Sequence, residues 1–282
     1  MDIHQGEKTK QVFLFAAHFY SHAIIKEFRK LQAATKDIGD CFILFHQQGS
    51  NGVDRRILNV PHYIVNDSAL AVLGYKPFSG DSLYPGGTRF PFFVFFRKHR
   101  YQYYWFIEYD VKFTGNWKKF FHYFDNAKED FLTCHIRKHA DEPDWSWWDK
   151  IFHPTEKVDC SKKIRSFNPI CRISDPALSY IDEMQKKGWV GHQEVLIPTL
   201  LYDAGFKLRD FGGEGEFVFS QDKGRFYLDS DNSRLKGGTM TFNDHYVSIF
   251  KYVRDKLFHP VKPHFLRDGL KRFWQRELKR FS

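Results

Sequence analysis

The N-terminal part of the chain alternates short apolar runs with a longer stretch of helical spacing. Residues 11–17 (QVFLFAA) and 41–45 (CFILF) are continuous apolar runs, which are typical of strands buried on both faces. Between them, residues 22–35 carry apolar side chains along one side, and Ser21 precedes them as a candidate N-cap. A strand, a helix and a second strand in this order predict a βαβ unit, and therefore a parallel sheet.

The rest of the chain extends the same pattern. We expect strands at 60–65, 101–107 and 130–135, with short strand-like pieces at 217–220 and 225–227. We expect helices at 176–187, 194–204 and 243–254, a helix or an irregular packed segment at 89–97, and loops at 74–89 and 141–154. The predicted fold is α/β, with a mostly parallel central sheet flanked by helices, in a single domain spanning residues 1–265.

The last residues, 266–282, form a separate predicted element. Their apolar side chains recur at helical spacing, and six basic and two acidic residues accompany them. Such a basic amphipathic helix packs on its own domain or on a partner, or it lies on an anionic membrane surface. Both readings stay open.

Composition narrows the classes of partner. The chain has 282 residues, a formal net charge of +9 and an aromatic share of 18%, and a basic balance favours anionic partners such as nucleotides, nucleic acid or a membrane face. Nucleic-acid binding proteins interleave rings with cations on a surface. Here the phenylalanines cluster in strand-like runs, which argues against nucleic acid, although a basic, aromatic nucleic-acid-binding protein remains an alternative interpretation.

The four cysteines indicate a reducing environment. None forms a C-x-x-C pair, and Cys41 and Cys134 lie in apolar runs, where a buried free thiol is usual. The first residues, MDIHQGEKTK, lack the apolar core of a signal peptide, and no apolar run is long enough to span a membrane. We therefore predict a cytoplasmic protein, which the segment 266–282 could hold at the inner face of the membrane.

The stretch most suggestive of chemistry is YYWFIEYDVKFTGNW, residues 103–117, in which an apolar strand ends at Glu108 and Asp110. Burying a carboxylate is costly unless a cation or a hydrogen-bond donor accompanies it. Mg²⁺ typically takes one or two protein carboxylates and completes its shell with phosphate oxygens and water. The pair therefore indicates either a divalent metal site for a nucleoside diphosphate or two solvated acids at a strand end.

The motif FIEYDV followed by FTGNW resembles the acidic motif of GT-A glycosyltransferases, the nucleotide-diphospho-sugar transferase superfamily. It looks most like a bacterial and fungal branch with an aromatic strand, an E-x-D-V core and a [ST]-G-x-W sequel. The wider family uses D-x-D, so Glu108 departs from that pattern. The resemblance implies that Asp110 holds Mn²⁺ or Mg²⁺, and that Glu108 contacts the donor ribose or assists at the metal.

Two later segments add to the resemblance. In GHQEVLIPTLLYDAGF, residues 191–206, Glu194 resembles the catalytic base of inverting GT-A enzymes; its other reading is a charge that complements the helix dipole. In LFHPVKP, residues 257–263, His259 resembles the late histidine that many of these enzymes bring to the metal, and Lys262 could meet the diphosphate. A lone histidine before proline can equally be structural.

The resemblance also implies further substrate contacts. The end of the first strand and the segment after the glycine-rich loop would contact the donor, through Ala17, His18, Tyr20 and Arg89. Arg172 and Ser174, in NPICRISDPAL, would contact the acceptor.

The predicted function is metal-dependent transfer of a sugar from a nucleotide sugar to a hydroxyl of a glycan or a lipid-linked acceptor. The predicted setting is the assembly of a surface polysaccharide or glycolipid. Direct displacement inverts the anomeric centre, and retention becomes the better interpretation if Glu194 lies far from the metal. A non-catalytic GT-A-like domain remains an alternative. A nucleotidyltransferase typically needs a glycine-rich phosphate loop after the first strand, where this chain has AAHFYSH.

Overall fold

The computed structural model describes residues 11–49, 52–78, 80, 83, 89–229, 240 and 254–261. Its strands are β1 (Gln11–Ala17), β2 (Asp40–Gln47), β3 (His62–Asn66), β4 (Tyr103–Glu108), β5 (Lys112–Phe113), β6 (Phe131–Lys138), β7 (Ile151–Phe152), β8 (Ile164–Ser174), β9 (Val190–Gly191), β10 (Leu208–Asp210) and β11 (Leu257–Phe258). Its helices are α1 (His22–Thr35), α2 (Asp67–Leu70), α3 (Phe90–Lys98), α4 (Trp117–Phe124), α5 (Asp175–Lys186) and α6 (Gln193–Asp203).

Seven strands form the central sheet, in the order β10-β6-β8-β4-β1-β2-β3. Strand β8 runs antiparallel to both of its neighbours, β4 and β6, and every other adjacent pair is parallel. Two short antiparallel ribbons, β5 with β11 and β7 with β9, lie outside this sheet. The predicted α/β class with a mostly parallel sheet is confirmed.

The βαβ unit at the start of the sheet is confirmed with its predicted helix bounds. The Ser21 side chain accepts a hydrogen bond from the Ile24 backbone N–H and caps α1. Alternate residues of β1 enter two different cores: Phe13 packs with α1 and α4, whereas Leu14 packs with α3, α5 and α6. Both faces of β1 are therefore buried, which explains why its sequence is apolar throughout rather than alternating.

The longest strand of the sheet, β8, was not predicted. It contains Pro169, which usually argues against a central strand because proline has no N–H to donate. It also buries Arg165 and Arg172, which break the apolar pattern. Pro169 lies where the pairing between β6 and β8 shifts register. It also comes just before Ile170, the first residue of β8 that pairs with β4, so its missing N–H interrupts neither ladder.

Other differences are local. Helix α4 was missed because its sequence, WKKFFHYF, is dominated by aromatic residues that favour strands, although the Asn116 side chain caps it. The strand-like pieces predicted at 217–220 and 225–227 are turns around a short 3₁₀ segment, Ser220–Asp222, so that prediction is wrong. The helices predicted at 243–254 and 266–282 lie outside the described residues, apart from Arg254.

Within the described ranges, every helix is too short or too polar to reach across a lipid bilayer.

Candidate functional site

The ends of β1 and β4 bring the predicted donor-binding residues to one edge of the sheet. The two strands are parallel neighbours, and Ala16 pairs with Glu108. The Tyr109 N–H donates to the Ala16 carbonyl at 3.0 Å, so the contact continues one residue beyond β4. The exposed ring of His18 meets Tyr109 at a centroid distance of 5.4 Å. In open α/β sheets, ligands bind beyond the carboxyl ends of the strands.

A distant segment reaches the same edge through the small ribbon. Strand β11 pairs antiparallel with β5, so that Phe258 lies opposite Lys112. Further along, the Val261 N–H donates to the Asp110 carbonyl at 2.8 Å. The C-terminal segment therefore runs back along the residues that follow Asp110, and this pairing brings His259 beside it.

Glu108, Asp110 and His259 form a compact cluster. The His259 Nε2 atom lies 3.3 Å from a carboxylate oxygen of Glu108 and 3.3 Å from one of Asp110. The Asp110 side chain is 2% exposed, that of His259 12% and that of Glu108 26%. Burial lowers the pKa of His259, but the two carboxylates outweigh it and raise the pKa to about 9. The carboxylates of Glu108 and Asp110 therefore both contact a protonated His259 imidazole.

This donor set fits a hard divalent cation. One ligand atom from each of the three residues, two carboxylate oxygens and an imidazole nitrogen, lies within 4.8 Å of the others. The two carboxylates suit Mn²⁺ and Mg²⁺, which keep further positions for phosphate oxygens or water, whereas the imidazole is a softer ligand than Mg²⁺ usually takes. The structure thus brings together the residues predicted to bind metal, and their binding of a metal stays a prediction.

Glu194 lies within the electrostatic reach of the cluster. It lies in the first turn of α6, and its side chain is 24% exposed. Burial raises the pKa of Glu194 to about 7, against the opposing charges of Arg165 and Arg89. The charges of Glu108 and His259 also act on this carboxyl group. A carboxyl group that titrates near neutral pH beside the cluster is suited to accept a proton.

The raised pKa makes a prediction about stability. The folded-state pKa of Glu194 exceeds its ordinary value of 4.5. The stability that protonated Glu194 contributes to the folded protein is therefore fully present below about pH 4.5 and is lost as pH rises through about 7. Glutamine mimics the protonated acid. We expect Glu194→Gln to raise the free energy of unfolding by about 2 kcal/mol at about pH 8, and by much less near pH 4.5.

Urea denaturation in EDTA, compared across pH for the two proteins, measures this difference. A difference between Glu194→Gln and the wild type that does not change with pH would show that the Glu194 carboxyl group is not strained by burial.

Arg89 lies near Glu194. It precedes α3, it is buried, and its guanidinium group lies 4.5 Å above the ring of Phe106. Its positive charge lowers the pKa of both Glu194 and His192. This position beside Glu194 is compatible with the predicted contact to phosphate or sugar, which stays a prediction.

The structure places the predicted acceptor contacts, Arg172 and Ser174, apart from the cluster. Because β8 runs antiparallel to β4, its end pairs with the beginning of β4, and Ser174 lies opposite Tyr103. Ser174 therefore lies at the edge of the sheet opposite Glu108, and Arg172 lies opposite Trp105, in the middle of β4. Their side chains are buried in structural roles, with Ser174 capping α5.

Arg172 instead ties the loop after α4 to the sheet. Its guanidinium group lies 4.1 Å above the ring of Tyr103. It donates hydrogen bonds of 2.7 to 3.1 Å to three backbone carbonyl groups, those of Phe124, Ala127 and Glu129. Removing it takes a charged donor from all three carbonyl groups, of which only that of Phe124 is also bonded by a backbone donor, the Ala127 N–H at 3.1 Å, within the described residues.

We expect Arg172→Met to lower the free energy of unfolding by about 3 kcal/mol. The same variant should bind nucleotide and metal like the wild type in its folded fraction, since Arg172 lies far from the cluster. Urea denaturation measures the first effect and calorimetric titration the second. Weakened ligand binding by a folded Arg172→Met protein would return Arg172 to the binding site.

Two cations near the site were missed by sequence reasoning. The Arg56 guanidinium group lies 3.7 Å above the ring of Tyr20 and is held by Asp54 through hydrogen bonds of 2.9 and 2.7 Å. Arg165 is fully buried and bonds the Glu142 carboxylate at 2.8 Å. Neither belongs to a recognisable motif, so only the fold reveals them. Lys262, the predicted diphosphate contact, lies outside the described residues.

Comparisons with known proteins find only distant structural similarity. No protein-family model matches the sequence, and no curated protein matches it. Among solved structures, the chain is similar to a glucose-1-phosphate thymidylyltransferase from Bacillus anthracis in complex with a sucrose, with a TM-score of 0.42 and 13% identity over 71% of this chain and 85% of that chain. It is also similar to the inositol-1-phosphate CTP transferase from T. maritima, with a TM-score of 0.39 and 10% identity over 76% of this chain and 87% of that chain. Likeness at this level assigns neither a family nor an activity.

Proposed function

We propose that this protein is a metal-dependent glycosyltransferase that moves a sugar from a nucleotide-sugar donor to a hydroxyl group of its acceptor. One observation carries the proposal: Glu108, Asp110 and His259 converge at the carboxyl edge of a mostly parallel sheet, and the charges of Glu108 and His259 act on the Glu194 carboxyl group. The three clustered residues could hold a cation, and the pKa of the Glu194 carboxyl group is raised to about 7.

Asp110 and His259 would hold Mn²⁺ or Mg²⁺, and the bound cation supplies neutralisation of the negative charge that develops on the leaving diphosphate. Glu108, which is more exposed than Asp110, is free to serve as a third ligand or to accept a hydrogen bond from the donor ribose. Arg89 adds a positive charge that acts on Glu194.

Glu194 would remove the proton from the attacking acceptor hydroxyl. A general base works best when its pKa lies near the working pH, and the pKa of Glu194, raised to about 7, meets that condition. The charges of Glu108 and His259 act on the Glu194 carboxyl group, which supports a position for the base near the donor site. Such a position would favour direct displacement with inversion over retention.

The donor nucleotide would lie across the end of β1. Ala17, His18 and Tyr20 follow or end this strand, and the Arg56 guanidinium group beside Tyr20 extends the surface. Lys262 is proposed to meet the diphosphate. We further propose a glycan or lipid-linked acceptor, a role in surface polysaccharide or glycolipid assembly, and a cytoplasmic location in which residues 266–282 can meet the membrane surface.

A nucleotidyltransferase would use the same kind of edge, and both solved structures named above carry names of that class. The connection between β1 and α1 argues for sugar transfer instead. It consists of residues 18–21, HFYS, and contains no glycine, whereas a triphosphate cradle needs close backbone approach.

A thermal-shift screen of UDP-, GDP- and dTDP-sugars, with and without Mn²⁺, tests the proposal, and CMP-sugars serve as the control without a diphosphate. We expect one diphosphate family to stabilise the protein only when Mn²⁺ is present. With that donor and an acceptor, mass spectrometry should find a glycosylated acceptor and a nucleoside diphosphate. Synthesis of a nucleotide sugar from a nucleoside triphosphate and a sugar phosphate would contradict it, as would the absence of any metal-dependent shift.

A further inference from the structure

An exposed indole lies beside the proposed base. Trp147 is 41% exposed, and its ring stacks on the imidazole of His192 at a centroid distance of 4.6 Å and an interplanar angle of 19°. The His192 Nδ1 atom lies 4.0 Å from a carboxylate oxygen of Glu194. Trp147 lies in the loop predicted at 141–154.

The position of Trp147 is fixed by its backbone. The Lys150 N–H donates to the Trp147 carbonyl at 3.0 Å and closes a turn. The His192 N–H then donates to the Lys150 carbonyl at 2.7 Å, beside the pairing of β7 with β9. The turn that carries Trp147 is therefore bonded directly to the residue that precedes α6.

Neighbouring tryptophans fill the core, but Trp147 does not. Trp148 is buried and donates its indole N–H to the Glu142 carbonyl at 2.7 Å. Trp145 packs on Trp148 and under the Arg165 guanidinium group. Among the described residues, His192 is the only ring stacked on Trp147, so the opposite face of the indole is not covered by another ring.

The exposed indole is the part of this region that a ligand can reach. The side-chain polar atoms of Gln193 and the Nδ1 atom of His192 make no hydrogen bond within the described part of the chain, but they are inaccessible to water. Trp147 keeps 41% of its surface exposed, so its uncovered face is the surface available for stacking.

We propose that the exposed face of Trp147 is a saccharide subsite, so that the acceptor is a glycan of at least two sugar units. The inference rests on the proposed function. A pyranose ring has an apolar C–H face that can cover an indole, and tryptophan offers the matching apolar body.

The geometry sets the minimum length of the acceptor. The imidazole of His192 separates the indole from the Glu194 carboxylate. A sugar stacked on the open face of Trp147 is therefore at least one ring layer removed from Glu194. The reacting hydroxyl therefore belongs to another unit of the glycan than the one held by Trp147.

Saturation-transfer NMR with a panel of disaccharides and of their methyl glycoside components tests the subsite, in the presence of Mn²⁺ and a nucleoside diphosphate. We expect at least one disaccharide to bind more tightly than its components. We expect Trp147→Ala to weaken that binding by about tenfold, and Trp147→Tyr, which keeps an aromatic face, to restore it to within about twofold of the wild type. Trp147→Gln repeats the loss should the alanine variant fail to fold.

Phe219 provides the matched control, because it is 42% exposed and packs on the Arg209 guanidinium group. Phe219→Ala should bind the disaccharide like the wild type. Disaccharide binding that is absent in the wild type, or unchanged in Trp147→Ala, overturns the subsite.

The thermal shift with donor and Mn²⁺, measured on the same preparations, reports separately on the proposed function. A normal donor shift with lost disaccharide binding in Trp147→Ala supports both. Trp147-dependent disaccharide binding without any donor shift in the wild type supports the subsite and removes the transferase.

Discussion

Asp110→Asn is expected to abolish Mn²⁺-dependent binding of the nucleoside diphosphate and to lower sugar transfer by at least about a thousandfold. The Asp110 side chain is 2% exposed and lies 3.3 Å from His259 Nε2, so it is the buried anion around which the cluster is built. Asparagine keeps the shape and removes the charge. Calorimetric titration of Mn²⁺ with the nucleoside diphosphate measures the first effect, and product formation the second.

Asp37→Asn is the matched control for this change. Asp37 follows α1, pairs with Lys118 and is exposed, and it lies at the edge of the sheet where β2 begins. Removing its charge should leave metal and nucleotide binding unchanged. Equal Mn²⁺ affinity in Asp110→Asn and Asp37→Asn would exclude Asp110 as a metal ligand.

Glu194→Gln is expected to separate catalysis from binding. The donor and Mn²⁺ should bind as in the wild type, because Glu194 is not one of the three clustered ligands. The turnover number should fall by about a thousandfold, since glutamine cannot take a proton from the acceptor hydroxyl.

The pH dependence of wild-type turnover follows from the same group. Burial raises the pKa of Glu194 to about 7, and the base acts only when deprotonated. Turnover should therefore rise as pH increases through about 7 and reach a plateau above it. Steady-state rates of both proteins across pH measure the effect, and the residual rate of Glu194→Gln should lack this inflection.

Glu183→Gln provides the control, because Glu183 is an exposed acid on α5. Its rate and pH profile should match those of the wild type. Unchanged turnover in Glu194→Gln would show that another group accepts the proton, and loss of donor binding would show that Glu194 binds the donor instead.

Local patterns were enough to predict the elements whose signals are local. Strand β1 and helix α1 have the predicted bounds because a continuous apolar run and the Ser21 cap lie within the segments themselves. Strand β8 could not be predicted in this way. Its central Pro169 and its two buried arginines are accommodated by β4, β6 and the loop after α4, which are distant in sequence.

The site residues, too, could be predicted only where their signal is local. The cost of burying carboxylates after an apolar strand was enough to single out Glu108 and Asp110. That His259 reaches them depends on the contact between the segments around Thr114 and Lys256, which lie 142 positions apart. The buried position of Arg172 could not be predicted for a comparable reason, because sequence does not reveal which way β8 runs through the sheet.

Pulsed electron paramagnetic resonance of Mn²⁺ bound to the protein with a nucleoside diphosphate tests the central claim most directly. If one cation lies between the cluster and the donor, the spectrum contains a ¹⁴N coupling from the His259 imidazole and ³¹P couplings from the diphosphate. The ¹⁴N coupling disappears in His259→Ala. Phosphorus couplings without nitrogen in the wild type, or a nitrogen coupling that survives in His259→Ala, would place the cation elsewhere and contradict the mechanism.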